Sequence, residues 1–427
     1  MDKQILKRIV LENQQEIVKR SLFERSLSVA DNMNYAFIGV RRAGKSYAIY
    51  QRIQHLMTIG HRAEEFLYLN FEDNRLENFV NEDFDRLLDA YAEMYDYKPM
   101  LFLDEVQIIA GWEKFARRMA DNKYTIYLTG SNAKMLSSEF MTTLGGRFLE
   151  KDIYPFSFKE VMDYLEFPFD ELALLSPSGR ANMIKNYNDY LLWGGLPEIV
   201  GQQNKRDYIS STYQKIYLGD IASRNNISNT VALRLMIKKL AESVRQPISY
   251  TRLANIVSTI GGKITVPTIA GYVGYCEEAW LILRLRNIAV ALSEKESICK
   301  YYFVDNGVLN LFLIGGETAL LENLVAGQLF RMYGHDSNND TVWYYNSNGY
   351  EVDFYIPEKK WAIQVCYSLQ DTDTRKREIT ALSKLPKVLE CERRTIFTFD
   401  EEQTIEDEFG SIEIIPTWKW LLEKYPK

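Results

Sequence analysis

Several features are scarce in this 427-residue chain, and each scarcity argues against a class of protein. It has four cysteines, Cys276, Cys299, Cys366 and Cys391, and no Cys-x-x-Cys spacing. Its histidines are His55, His61 and His335. That pattern argues against a structural zinc site and a disulfide framework, and it points to reduced thiols in a cytoplasm. No apolar run nears the roughly eighteen residues of a membrane span, so no membrane is expected among the partners. Residues 1–25 read as a charged amphipathic helix and not as a secretory signal. Repeats and low-complexity tracts are missing. So is an excess of positive charge: 51 Lys and Arg face 58 Asp and Glu, a formal net charge of −7. Such a chain does not hold nucleic acid by bulk charge. Only residues 231–290 run the other way, with eight Lys/Arg against three Glu, a local net of +5.

What is present is more specific. Gly39-Val40-Arg41-Arg42-Ala43-Gly44-Lys45-Ser46 matches G-x-x-x-x-G-K-[ST] at every defined position. An apolar stretch precedes it at 35–38, and a helix-compatible stretch that begins with Tyr47 follows it. Strand, loop and helix in that order are what give the motif its meaning. The glycines let backbone N–H groups turn inward toward phosphate oxygens, and the new helix adds its positive end. Residues 39–47 are therefore the expected nucleotide-binding loop. Lys45 would reach the β- and γ-phosphates, and Ser46 would hold Mg²⁺ through its hydroxyl.

A second run, Met100-Leu101-Phe102-Leu103, ends in Asp104-Glu105. An apolar strand with acids at its carboxyl end suits the other half of such a site. Asp104 would serve the metal, and Glu105 would polarise a water for attack on the γ-phosphate. GTPases and small kinases usually lack the adjacent glutamate, so the pair favours ATP. A third strand leads into Thr129-Gly130-Ser131-Asn132. Ser131 and Asn132 are candidates to sense the γ-phosphate, although the same residues make an ordinary turn. Arg147, after Gly145-Gly146, is a candidate transition-state cation, in its own site or a neighbouring subunit's. The competing reading is a surface arginine at a strand start.

Between 30 and 155, strand patterns at 35–38, 66–71, 100–103, 125–128 and 148–153 alternate with helical ones. That alternation predicts an α/β fold, a parallel sheet with helices on both faces. Phe71-Glu72-Asp73 ends a strand near the same edge, where a solvated turn is the simpler reading. Residues 157–226 read as helical, with a tight turn at Trp193-Gly194-Gly195-Leu196-Pro197, and suggest a lid on the nucleotide domain. Residues 230–290 read as helix, turn, helix and ribbon, the outline of a winged helix that serves DNA or another protein. Strands are expected at 301–304, 343–345, 351–356 and 361–365, with a hairpin turn at 346–349.

These stretches together resemble a bacterial and archaeal family of AAA-type P-loop ATPases with a winged-helix segment and a C-terminal restriction-endonuclease-like domain. The matching residues are Gly39 to Ser46, Leu67-Tyr68-Leu69-Asn70-Phe71-Glu72-Asp73, Leu101 to Gln107, Leu128 to Asn132, Gly146-Arg147, Tyr154-Pro155-Phe156-Ser157-Phe158, Gly194 to Glu198, Tyr302 to Gly307, Glu322-Asn323 and Glu351-Val352-Asp353-Phe354. The resemblance implies four segments: an ATPase domain at 1–155, a helical lid at 156–229, a winged-helix-like domain at 230–290 and a nuclease-like α/β domain at 291–427. It implies ATP and Mg²⁺ as ligands and ATP hydrolysis to ADP and phosphate as the reaction. One departure matters. A nuclease of that type needs a carboxylate, met by Asp353 with Glu322 as partner, then Glu-x-Lys on the next strand. Here Gln364 and Cys366 stand in those places. A neutral amide is a poor Mg²⁺ ligand and a thiol carries no positive charge at pH 7. The nuclease site is expected to be inactive. The expected function is a nucleotide-driven conformational switch. Alternatives are an ATP-regulated DNA-binding protein with little turnover and, less favoured, a metal-dependent nuclease.

Overall fold

The computed structural model describes residues 1–130, 144–334 and 341–423. They form two compact units: residues 1–154 with 278–280, and residues 155–277 with 281–427.

The first unit is built on five parallel strands: β1 (Asn34–Ile38), β2 (Phe66–Asn70), β3 (Met100–Asp104), β4 (Ile126–Gly130) and β5 (Phe148–Asp152). Their order is β2-β3-β4-β1-β5. Strands β1 to β4 are largely apolar runs, and Phe37, Ile38, Leu101, Phe102, Leu103 and Tyr127 are fully buried, whereas the edge strand β5 is mostly charged. Strands buried on both faces require helices on both faces. These are α1 (Lys3–Lys19), α2 (Lys45–Thr58), α3 (Asp83–Ala92) and α4 (Trp112–Asp121). The five strands match the sequence-based expectation to within two residues at each end.

The N-terminal helix is shorter than residues 1–25, and it has a definite task. Leu6, Ile9, Val10 and Ile17 recur at helical spacing and are buried. Between them, the Asn13 and Gln14 side-chain amides donate to the Tyr68 and Phe66 carbonyls, at 3.1 and 2.9 Å. Those carbonyls belong to β2, an edge strand. The helix thus covers an edge that would otherwise offer free hydrogen-bonding groups.

The second unit holds a mixed sheet in the order β13-β14-β12-β11-β10-β9-β7-β8-β6. Its strands are β6 (Ile248–Ser249), β7 (Ile282–Asn287), β8 (Ile298–Phe303), β9 (Trp343–Ser347), β10 (Tyr350–Ile356), β11 (Trp361–Val365), β12 (Arg393–Thr398), β13 (Gln403–Asp407) and β14 (Gly410–Pro416). The β9–β10 turn takes Asn348 and Gly349 at φ of +55° and +78°, the left-handed pair a two-residue hairpin needs. The expected boundary at residue 290 lies between β7 and β8, which pair antiparallel from Ile282 against Phe303 to Leu285 against Lys300. Strands from both sides of that boundary share one sheet.

The helical stretch expected as a lid on the nucleotide domain belongs to this second unit. Asp305 and Asn306 fasten it. The Asp305 carboxylate accepts the Gly195 N–H at 2.8 Å and the Gly307 N–H at 2.9 Å. Asn306 Nδ2 donates to the Leu191 and Leu320 carbonyls, at 2.8 and 2.9 Å. Asn323 ties Phe303 and Asn306 from the helix Glu317–Tyr333. A Cβ at Gly194 would lie 2.3 Å from the Asp305 carboxylate, and one at Gly195 would lie 2.0 Å from the Phe156 carbonyl oxygen. Glycine at 194 and 195 is therefore a matter of close approach.

Candidate active site

The register of the first sheet brings the two motifs to one edge. Ile38 pairs with Gly130, Leu103 with Leu128, and Asn70 with Asp104. Gly39, Asp104 and Thr129 therefore follow or end neighbouring strands at their carboxyl ends, where ligands of open α/β sheets bind.

The loop after β1 is tightly held. A Cβ on Gly39 would stand 2.1 Å from the Ile153 carbonyl oxygen, so no larger residue fits. The Ile153 N–H in turn donates to the Ile38 carbonyl at 2.6 Å. Arg42 adopts φ +69° and Gly44 φ +98°, and Gly44 is the N-cap of α2. These turns put the first N–H groups of α2, unpaired within the helix, at the loop. Lys45 is buried, and its Nζ donates back to the Gly39 and Val40 carbonyls at 3.0 and 3.2 Å. The same ammonium lies 4.0 Å from Glu105 Oε1. The loop, the lysine and the second motif thus form one cluster. Val40 and Ala43 are buried supports of the loop. Arg41 Nη1 donates to Glu72 at 3.3 Å, and Asp73 caps the following turn through the Arg75 N–H. Glu72 and Asp73 are turn residues, as the simpler reading had it. Tyr47 is half exposed, its ring against Tyr50.

Asp104 has no exposed surface. Its Oδ1 accepts the Thr129 hydroxyl, its Oδ2 accepts the Tyr68 hydroxyl at 2.8 Å, and the Ser46 hydroxyl also donates to it. Burial pushes its carboxyl above the ordinary aspartate value and the Glu105 charge adds to this, while the three hydroxyls hold it down. Behind it, Tyr50 and Tyr68 share a hydroxyl–hydroxyl bond of 3.1 Å. Tyr68 gives its proton to Asp104, so Tyr50 donates to Tyr68. Thr129 serves both acids: it donates to Asp104 and accepts the Glu105 N–H at 2.9 Å. Tyr68 and Thr129 are functional neighbours that the sequence reading passed over.

Glu105 sits at φ +53° and ψ +39°. A left-handed conformation at a non-glycine residue costs about 1 kcal/mol. Here it turns the chain at the strand end, and the Gln107 amide donates to Glu105 Oε2. The Glu105 side chain is 13 % exposed, so it is accessible to a water while its neighbour is sealed.

Two expectations fare differently. Ser131 and Asn132 lie outside the described residues. Arg147 is not brought to the site. It precedes β5, whose first residue, Phe148, pairs with Asn34 at the amino end of β1, whereas the loop leaves the carboxyl end. There Arg147 Nε donates to Asp121 at 2.6 Å, and its Nη1 donates to the Leu144 and Gly145 carbonyls. Stabilising charge in its own site is not its role, because parallel strands put the start of β5 and the end of β1 at opposite edges.

The residues expected from the nuclease resemblance come together in the second unit. Glu322 and Asp353 meet at a cation the sequence reading did not name, Lys300. Gln364 is spent on backbone: its Oε1 accepts the Asp353 N–H at 2.8 Å and its Nε2 donates to the Glu351 carbonyl at 3.0 Å. The Cys366 thiol donates to the Ser368 carbonyl, and burial pushes it up to about 11. No helix of the described residues is long and apolar enough to cross a membrane.

A family model covers the part of the chain that carries this site. Residues 31–162 match the AAA domain family AAA_14, and residues 184–318 match a domain of unknown function, DUF8612. The uncharacterized protein MJ1544 of Methanocaldococcus jannaschii is 33 % identical over 99 % of this chain and 96 % of its own. An uncharacterized protein of Haemophilus influenzae is 31 % identical over 69 % of this chain and 73 % of its own. Among solved structures, the Aeropyrum pernix ORC1 protein in complex with DNA aligns at 15 % identity and a TM-score of 0.31, over 76 % of this chain and 93 % of that one.

Proposed function

Because the chain belongs to the AAA-domain family of the Methanocaldococcus and Haemophilus relatives, we propose that it hydrolyses ATP with Mg²⁺ and uses the cycle as a conformational switch. The observation that carries this reading is the joined cluster of Lys45, Ser46, Asp104, Glu105 and Thr129 at one sheet edge. The loop N–H groups, the α2 amino end and Lys45 would hold the phosphates, with Ser46 and Asp104 beside the metal. Mg²⁺, when bound, neutralises charge on the phosphate oxygens. Glu105 is the base: it is partly open to solvent and fixed by its backbone turn. Asp104 is a positioning residue, since three hydroxyls saturate it.

A path for the switch lies in the chain itself. Gly39 packs on Ile153, and two residues later the chain passes from the first unit to the second. A change in the loop is thus felt at the crossing. The helices Thr230–Glu242, Tyr250–Gly261 and Val266–Glu278 followed by β7, whose antiparallel partner β8 lies beyond residue 290, support a winged-helix-like segment, and the remainder a nuclease-like segment without activity. Arg147 is left for a neighbouring subunit's site in a homo-oligomer.

The DNA-binding alternative draws less support. Two of the cations behind the +5 of 231–290 are neutralised by acids outside the segment, Arg245 by Glu322 and Arg286 by Glu296. The helix Val266–Glu278, in the recognition position, contains no Lys or Arg. The deciding experiment is phosphate release by purified protein with ATP and Mg²⁺. Turnover abolished in Lys45→Ala supports the proposal. No turnover by wild type, with ATP bound, favours the alternative.

A further inference from the structure

Lys300, on β8, has a side chain with no exposed surface. Its Nζ lies 2.6 Å from Glu351 Oε1, 3.4 Å from Glu322 Oε1 and 3.5 Å from Asp353 Oδ1. Glu322 is itself 1 % exposed. Its Oε1 also accepts the Tyr302 hydroxyl at 2.8 Å, and its Oε2 accepts from Arg245 Nε at 3.0 Å. Asp353 Oδ2 accepts the Val365 N–H at 2.9 Å. The oxygens that a divalent metal would need are already engaged.

Charge leads to the same place. Buried carboxylates persist only when paired and hydrogen-bonded. Here Glu322, Glu351 and Asp353 face Lys300 and Arg245, and the buried Glu378 with its partner Arg377 adjoins them. A divalent ion added to this set would meet an ammonium where its ligands converge. Gln364, turned to the backbone at both ends, offers no third carboxylate from β11. Among the described residues, no group of His, Cys, Asp and Glu is arranged to hold a metal. The nuclease resemblance implies a metal here, and the residues do not fit one.

The structure assigns to the Lys300 ammonium the place of that metal: it is the permanent cation of the Glu322–Glu351–Asp353 cluster. It ties β8 and β10 to the helix Glu317–Tyr333, and it keeps divalent ions out. Removing its charge while keeping its length should turn the cluster into a metal site.

The test is Mn²⁺ uptake by full-length, nucleotide-free protein, read by electron paramagnetic resonance, with melting temperatures alongside. Wild type and Asp353→Asn should take up the same amount. Lys300→Met should melt roughly 10 °C lower in metal-free buffer. It should then take up one more Mn²⁺ than wild type and recover part of that loss. Adding Asp353→Asn to Lys300→Met should remove the extra uptake. An Mn²⁺ held by wild type and lost in Asp353→Asn would overturn the assignment. So would a folded Lys300→Met that gains no Mn²⁺. Should Lys300→Met not fold, the wild-type and Asp353→Asn comparison decides alone: equal uptake upholds the assignment and unequal uptake ends it.

Discussion

At the scale of single residues, Asp104 and Glu105 show how neighbours acquire different tasks. Both are acids at one strand end, yet one is sealed beneath three hydroxyls and the other keeps a small exposed surface beside Lys45. Because burial holds the Asp104 carboxyl above its ordinary value, it takes up a proton at higher pH than a free aspartate does. Its ionised form, which the metal site needs, is present above that raised value and is lost as pH falls through it. The kcat/KM for Mg-ATP should therefore fall on the acid side sooner than a free aspartate, near pH 4, would allow; a pH–rate profile checks this. Thr129→Val would leave Asp104 and the Glu105 N–H each short of a partner. At about 1–3 kcal/mol for an orphaned buried group, turnover should drop about 10- to 100-fold with little change in ATP affinity. Lys45, Ser46, Asp104 and Glu105 were legible in the sequence because fixed spacing defines them. Tyr68 and Thr129 were not, since a Tyr or Thr in an apolar strand reads simply as a strand former. Among the readings left open for Arg147, its own site was the one the structure does not bring about, because nothing in Gly-Gly-Arg says at which end of a sheet it will emerge.

At the scale of elements, close approaches decide what each turn tolerates. Gly39→Ala would drive a methyl group into the Ile153 carbonyl oxygen. The expected cost is about 3 kcal/mol, read as a lower denaturant midpoint together with weaker ATP binding. In the second unit, burial pushes the Asp305 carboxyl up to about 6, against the pull of its backbone N–H donors. An unfolded aspartate titrates near 4. The stability this group contributes is complete below about pH 4 and is lost as pH rises through 6, by roughly 3 kcal/mol in all. Urea midpoints should accordingly shift downward between pH 5 and 7.5, and the shift should shrink in Asp305→Asn. Strands β1 to β4 of the first sheet were readable because each is largely an apolar run, and β5, which is mostly charged, was readable from its place after Gly145-Gly146. Strands β12 to β14 escaped notice because they mix charged and apolar residues. The turn Gly194-Gly195 was recognised, but its reason, the Asp305 carboxylate more than a hundred residues away, is a tertiary fact.

At the scale of the whole molecule, the local charge of 231–290 has to be read together with the ion pairs that hold part of it. Of the eight cations of 231–290, Arg284 is held by Glu277 and Arg286 by Glu296, while Arg234, Lys238, Arg245, Arg252 and Lys263 are exposed. Because the helix Val266–Glu278 carries no Lys or Arg, duplex DNA should bind weakly, with a salt slope shallower than the roughly −5 that six phosphate contacts produce; a salt titration of binding at low ionic strength measures it. The division into an ATP-handling unit and a second, larger unit leaves the first motif as the centre of the chemistry. The most direct test compares wild type with Glu105→Gln for ATP affinity and steady-state phosphate release. Glutamine keeps the size and the backbone turn but removes the base. The account predicts unchanged ATP affinity and turnover lower by about 10²- to 10³-fold. Turnover in Glu105→Gln equal to wild type would contradict it.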